Sequence, residues 1–281
     1  MIIWLASYPK SGNTWLRALL SSYFFSSNGD FNLKMLENIK SFPTEDNFKN
    51  YKDKFNNPGD TSKYWISEQE RINLSKKVMF LKTHMAVCKV NGNSFTDNKN
   101  TLGAIYIIRD PRNVITSLSN HYQISIEEAF EFMKDDQRAI YSKVNNRYLG
   151  FQFLMSWSLN QKSWIENKKF PVLLIKYEDL VGETFFVFKN IIQFINKLMN
   201  NKQAFNKDKA VNAIKNTSFE KLQNLENQYG FSEAVTKKGT KEKLRFFNLG
   251  KANNYQNILS KNLINKMNNE YKKELEKYNY E

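Results

Sequence analysis

A five-residue apolar run, Ile2–Ala6, stops at Ser7-Tyr8-Pro9-Lys10-Ser11-Gly12-Asn13-Thr14, after which Trp15, Leu16, Leu19, Leu20 and Tyr23 recur at helical spacing. That order spells a buried strand, a tight loop and a helix. Residues 78–81, 104–108 and 172–175 are further apolar runs of strand length, each followed by polar residues and then helical periodicity. Strands alternating with helices dictate an α/β fold with a central, mainly parallel sheet flanked by helices. The chain has 281 residues, 41% of them hydrophobic and 15% aromatic, which excludes extensive disorder and leads us to expect one domain over residues 1–281.

Residues 28–75 are polar and interrupted by Pro43, Pro58 and Gly59, and are expected to form short helices and loops above the sheet, as a lid or acceptor-side insertion. A second irregular stretch, 230–257, precedes a Lys-rich amphipathic helix expected over 260–278. Cys88 is the only cysteine, so an intrachain disulfide and a thiolate metal cluster are both excluded. No signal-peptide pattern and no membrane-length apolar run is present, so a cytoplasmic location is expected. The net charge is +14, and residues 200–281 carry 16 Lys and Arg against 9 Asp and Glu. This balance admits a polyanion binder, or merely solvated helical faces. No recognised nucleic-acid motif appears, and nucleic acid is not expected as a partner.

The first loop carries the strongest chemical signal. Around one point it gathers backbone N–H groups at a helix start, the Lys10 ammonium and the hydroxyls of Ser11 and Thr14, an arrangement suited to a phosphate. An ordinary strand-to-helix turn with a surface lysine has the same pattern. The loop is not a Walker A motif, because no glycine stands five residues before Lys10 and the lysine precedes Gly12.

The order strand, Tyr8-Pro9-Lys10-Ser11-Gly12-Asn13-Thr14-Trp15, helix resembles the 5'-phosphosulfate loop of the sulfotransferase family, whose sulfuryl donor is 3'-phosphoadenosine 5'-phosphosulfate. Tyr106-Ile107-Ile108-Arg109-Asp110-Pro111-Arg112-Asn113-Val114-Ile115-Thr116-Ser117 is similar to the segment whose Arg, with a Ser eight residues on, clasps the donor's 3'-phosphate. By themselves, Arg109 and Ser117 fit equally well as an ion-pair residue and a helix serine. Phe80-Leu81-Lys82-Thr83-His84 resembles the Lys-Thr-His segment and implies His84 as catalytic base, with Lys82 assisting at the transferring group. Taken alone, a histidine just past a strand is more often structural. The other histidine, His121, matches no family role and is read as structural or pocket-lining.

The resemblance extends to Lys176-Tyr177-Glu178-Asp179-Leu180, which implies that Tyr177 lies near the adenine, and to Asn216-Thr217-Ser218-Phe219, which implies that Thr217, Ser218 and Phe219 touch it; Trp15 would stack on the base. The chain departs from the family at Asn248-Leu249-Gly250-Lys251, in register with an Arg-Lys-Gly loop: only Gly250 survives. Two charges are lost from the 3'-phosphate contact, where each charge-assisted bond contributes ~1.5–3 kcal/mol. Arg245 and Lys251 are the flanking candidates to compensate.

The resemblance implies a P-loop nucleotide-kinase-like fold. It also implies transfer of a sulfuryl group to a hydroxyl, less readily an amine, of a small molecule or glycan, leaving adenosine 3',5'-bisphosphate. No metal is required in such a scheme, so activity is expected to persist in EDTA. The competing readings are a P-loop-like nucleotide kinase and a non-catalytic polyanion binder. The acceptor pocket is expected between residues 28–75, the loop after His84 and the stretch 122–132.

Overall fold

A computed structural model of the chain describes residues 1–202 and 204–280, and of Lys251 the backbone alone. Five strands form one sheet: β1 (Ile2–Ala6), β2 (Lys40–Ser41), β3 (Met79–Thr83), β4 (Thr101–Ile108) and β5 (Val172–Lys176). Their order is β5-β4-β1-β3-β2, and every pairing is parallel. Alternation within the strands splits the core in two. Ile2, Trp4 and Ala6 of β1 face one cluster with Ala104, Tyr106 and Ile108 of β4, while Ile3, Leu5, Ile105 and Ile107 face the other.

The Leu5 face is covered by α1 (Asn13–Phe25), α7 (Thr184–Leu198) and α8 (Lys207–Asn216), through Leu16, Leu19, Leu20, Ile191, Ile195 and Ala213. The Trp4 face is covered by α3 (Pro111–Tyr122), α4 (Ile126–Lys134) and α5 (Trp157–Ile165). Helix α2 (Trp65–Asn73), which precedes β3, adds Trp65 to the Trp4 face, and α6 (Tyr177–Gly182), which follows β5, adds Leu180 to the Leu5 face. Asp110 caps α3, its carboxylate accepting the Arg112 N–H, with Pro111 in the first helical position.

Two expectations change. The 28–75 stretch does more than overlie the sheet: it adds β2 as an edge strand beside β3, and sinks Phe42, Phe48, Phe55 and Trp65 into the Trp4 core. A two-residue strand is too short to leave a periodic signal. The single helix expected over 260–278 is two, α10 (Lys261–Glu270) and α11 (Lys272–Tyr278). They break at Tyr271, whose buried ring is clamped edge-on by Trp157 at 5.1 Å and Phe130 at 6.3 Å. The helix α9 (Phe219–Tyr229) precedes the irregular 230–257 stretch and packs Leu222 with Phe231, Phe247 and Ala18 in a third, smaller cluster.

Candidate active site

The four loops that leave the carboxyl ends of β1, β3, β4 and β5 open into one cavity of about 680 Å³. In an open parallel sheet this edge, at the point where strand order reverses about β1, is where ligands bind.

The β1 loop turns sharply because Lys10 and Gly12 both adopt left-handed backbone, with φ of 68° and 102°. Gly12 also lies against the Tyr177 ring, where an added Cβ would come within 2.4 Å of its edge. Lys10, Gly12, Asn13, Thr14 and Trp15 line the cavity. The Asn13 amide is committed to the loop itself, donating to the Leu5 carbonyl at 2.9 Å and the Ser7 hydroxyl at 3.2 Å. Ser11 is buried, its hydroxyl has no partner among the described residues, and it is not part of the cavity wall.

The Lys10 ammonium sits 4.0 Å from the centre of the Phe246 ring. Burial, then the neighbouring Lys82 charge, lowers its pKa to about 8. Lys82, from β3, is likewise held below its ordinary value by burial. It donates to Glu233 at 3.3 Å, and Glu233 also ion-pairs with the buried Arg17 and accepts from the Thr14 hydroxyl at 3.4 Å. Against the upward push of burial, Lys82 and Arg17 bring the Glu233 carboxyl down to about 2.

His84 follows β3. Its Nδ1 lies 2.8 Å from the Ser7 carbonyl oxygen, which can only accept, so Nδ1 carries the proton and Nε2 keeps its lone pair. Burial and the Lys82 charge lower its pKa to about 3, leaving the ring neutral near pH 7. The backbone of His84 is pinned as well: its N–H donates to Gln152 at 3.3 Å and its carbonyl accepts from Asn160 at 3.0 Å. His121 lines the same cavity, edge-on to Tyr122 and Phe246.

Arg109 stacks its guanidinium 4.3 Å from the Tyr177 ring and donates to the Lys10 carbonyl at 3.4 Å. Ser117 projects from α3 and accepts from Asn253 at 3.2 Å. Trp15 meets Tyr177 edge-on at 5.9 Å. Ser218 and Phe219 line the cavity, Ser218 also capping α9 by accepting the Lys221 N–H. Thr217 does not reach it: its buried hydroxyl donates back to the Ala213 carbonyl at 2.7 Å. Asn248, Leu249, Gly250 and Arg245 contribute wall, whereas the Lys251 side chain lies outside the described residues. Of residues 28–75, Ser41 alone among the described residues lines the cavity.

The sequence did not single out Glu233, Arg17, Phe246 or Asn253. A cation at position 17 on an otherwise uncharged helix was a usable signal for Arg17. Glu233 is 216 residues from Arg17, and no local pattern links them.

This fold is that of a sulfotransferase: the sulfotransferase domain model matches residues 2–279, and the chain belongs to that enzyme family. Among characterised proteins it is similar to the luciferin sulfotransferase of Photinus pyralis, at 24% identity over 96% of this chain and 70% of that one. Its fold is shared by retinol dehydratase in complex with androsterone and inactive cofactor PAP, with a TM-score of 0.59, 17% identity, and coverage of 98% of this chain and 80% of that one. A mouse sulfotransferase complexed with PAP has a TM-score of 0.58, 18% identity, and coverage of 98% and 83%.

Proposed function

We propose that this sulfotransferase moves a sulfuryl group from 3'-phosphoadenosine 5'-phosphosulfate to the hydroxyl of a small-molecule acceptor, with His84 as general base. The observation that carries the proposal is the convergence on one cavity of a neutral imidazole with a fixed lone pair, the Lys10 and Lys82 ammoniums, and Arg109 with Ser117. The chain's groups suit that donor: Arg109 Nε and Trp15 Nε1 are buried without a partner among the described residues, and the Trp15, Tyr177 and Phe219 rings line the same cavity. PAP, held by both solved relatives, is adenosine 3',5'-bisphosphate, what remains of that donor after transfer. Retinol and androsterone, bound by retinol dehydratase, support a small-molecule acceptor.

In this scheme His84 Nε2 takes the hydroxyl proton as the acceptor oxygen bonds to sulfur. The bond from sulfur to the bridging phosphate oxygen breaks, and its electron pair stays with the phosphate. Lys10, Thr14 and the loop N–H groups face the charge growing there. Lys82 faces the transferring group.

Two results are expected. In a thermal-shift panel, adenosine 3',5'-bisphosphate at a hundredfold excess over Kd should stabilise the fold by ~2.7 kcal/mol, or roughly 5–10 °C, and ADP by less. Stabilisation by ATP with magnesium alone would point to a kinase instead. The pH profile should be one-sided. Lys10 acts as a cation, so the competent form exists below about pH 8 and is lost above it. Donor kcat/KM should therefore fall by up to about tenfold per unit above that point. His84 is neutral above about 3 and adds no acid limb between pH 5 and 8. A profile that rises through pH 8 to 9 would contradict the role given to Lys10.

A further inference from the structure

The Glu233 carboxylate lies against the very groups that the scheme above turns toward the donor's anionic end. Its Oε2 accepts from Lys82 at 3.3 Å and from the Thr14 hydroxyl at 3.4 Å, while its Oε1 pairs with Arg17. Arg17 is 5% exposed and held from behind, its Nη2 donating to the Leu36 and Ile39 carbonyls at 3.1 and 3.0 Å. One carboxylate oxygen thus has a fixed, buried anchor and the other has partners at the edge of the cavity. Two anions cannot share Lys82 and Thr14 without strong repulsion.

We infer that Glu233 is an internal counter-ion of the transfer site, which competes with the donor's 5' anion for Lys82 and Thr14 and yields them while Arg17 retains its other oxygen. The inference rests on the donor assignment above. Yielding also has a mechanical path. Phe231, two residues before Glu233, packs its ring 4.8 Å from that of Phe246, and Phe246 is the ring that covers the Lys10 ammonium and meets His121 edge-on. Withdrawal of the carboxylate is therefore transmitted to the cap over the second cation, and donor entry uncovers Lys10 as it displaces Glu233.

The test is calorimetric binding of two probes, adenosine 3',5'-bisphosphate and adenosine 3'-monophosphate, to the wild type and to Glu233→Gln. The amide keeps the shape of the side chain and loses its charge. The bisphosphate should bind the variant about tenfold more tightly, and the 3'-monophosphate, which has no 5' anion, should bind both proteins alike. Equal or weaker bisphosphate binding by the variant overturns the inference, and so does an equal gain for both probes. If the wild type fails to bind the bisphosphate at all, the donor assignment falls first and the competition with it. A second measurement needs no variant: amide hydrogen exchange over residues 232–235 of the wild type should quicken with the bisphosphate and not with the 3'-monophosphate. Unchanged exchange with both counts against displacement.

Discussion

Replacing His84 with alanine is expected to lower kcat by ~10²–10⁴ while leaving the affinity for adenosine 3',5'-bisphosphate near that of the wild type. A general base contributes only as the proton moves, so in the proposed role the loss belongs to kcat rather than to donor binding. The pinned ring matters as much as its identity. Because Nδ1 is held by the Ser7 carbonyl at 2.8 Å, Nε2 keeps its lone pair, and glutamine or asparagine at this position would restore a polar contact without a proton acceptor of similar strength. Steady-state kinetics with any acceptor that the wild type sulfates, set beside a bisphosphate titration, decides the point. Retention of more than about a tenth of wild-type kcat would remove His84 from the chemistry.

The second large effect concerns stability. Arg112→Ala should destabilise the fold by ~3–5 kcal/mol, because it strands a buried carboxylate. Asp110 is 5% exposed and is paired by Arg112 through Nε at 3.0 Å and Nη2 at 2.8 Å. The same guanidinium donates to Asn268 at 3.0 Å and to the Tyr280 carbonyl, and lies 4.3 Å from the Tyr255 ring. It therefore ties the start of α3 to the C-terminal helices. Calorimetric melting should drop by roughly 10 °C, and lysine, which lacks the planar fork, should recover only part of it. An alanine variant that melts with the wild type would show that Asp110 finds another partner. Bisphosphate binding should weaken as well, since Asp110 caps α3, which carries Ser117 and follows directly on Arg109.

How far the sequence disclosed the site follows from the range over which each signal acts. The β1 loop was legible because strand, turn residues and helix periodicity lie within about twenty-five positions, and the left-handed backbone at Gly12 has a local chemical cause. Arg109 with Ser117 and Lys82 with His84 were legible as segments that resemble a family. Their convergence needed the sheet order. What stayed hidden depends on tertiary partners: the proton on Nδ1 requires the Ser7 carbonyl, and the Glu233 contacts require the 230–257 stretch to fold back over α1. Thr217 was assigned to the donor by resemblance, but its hydroxyl is satisfied within its own helix turn. Edge strand β2 escaped notice because two residues carry no period.

The His84 imidazole and the β1 loop hang from a common support. Ser7 holds His84 from one side, and Asn13, at the start of α1, grips Ser7 from the other. Tyr122, at the end of α3, and Val235, in the 230–257 stretch, line the same cavity from other parts of the chain. Because Ser7 joins the His84 ring to the start of α1, the spacing between that ring and the β1 loop is set within one short stretch of backbone, and in the proposed reaction it would hold while the side chains facing the acceptor change.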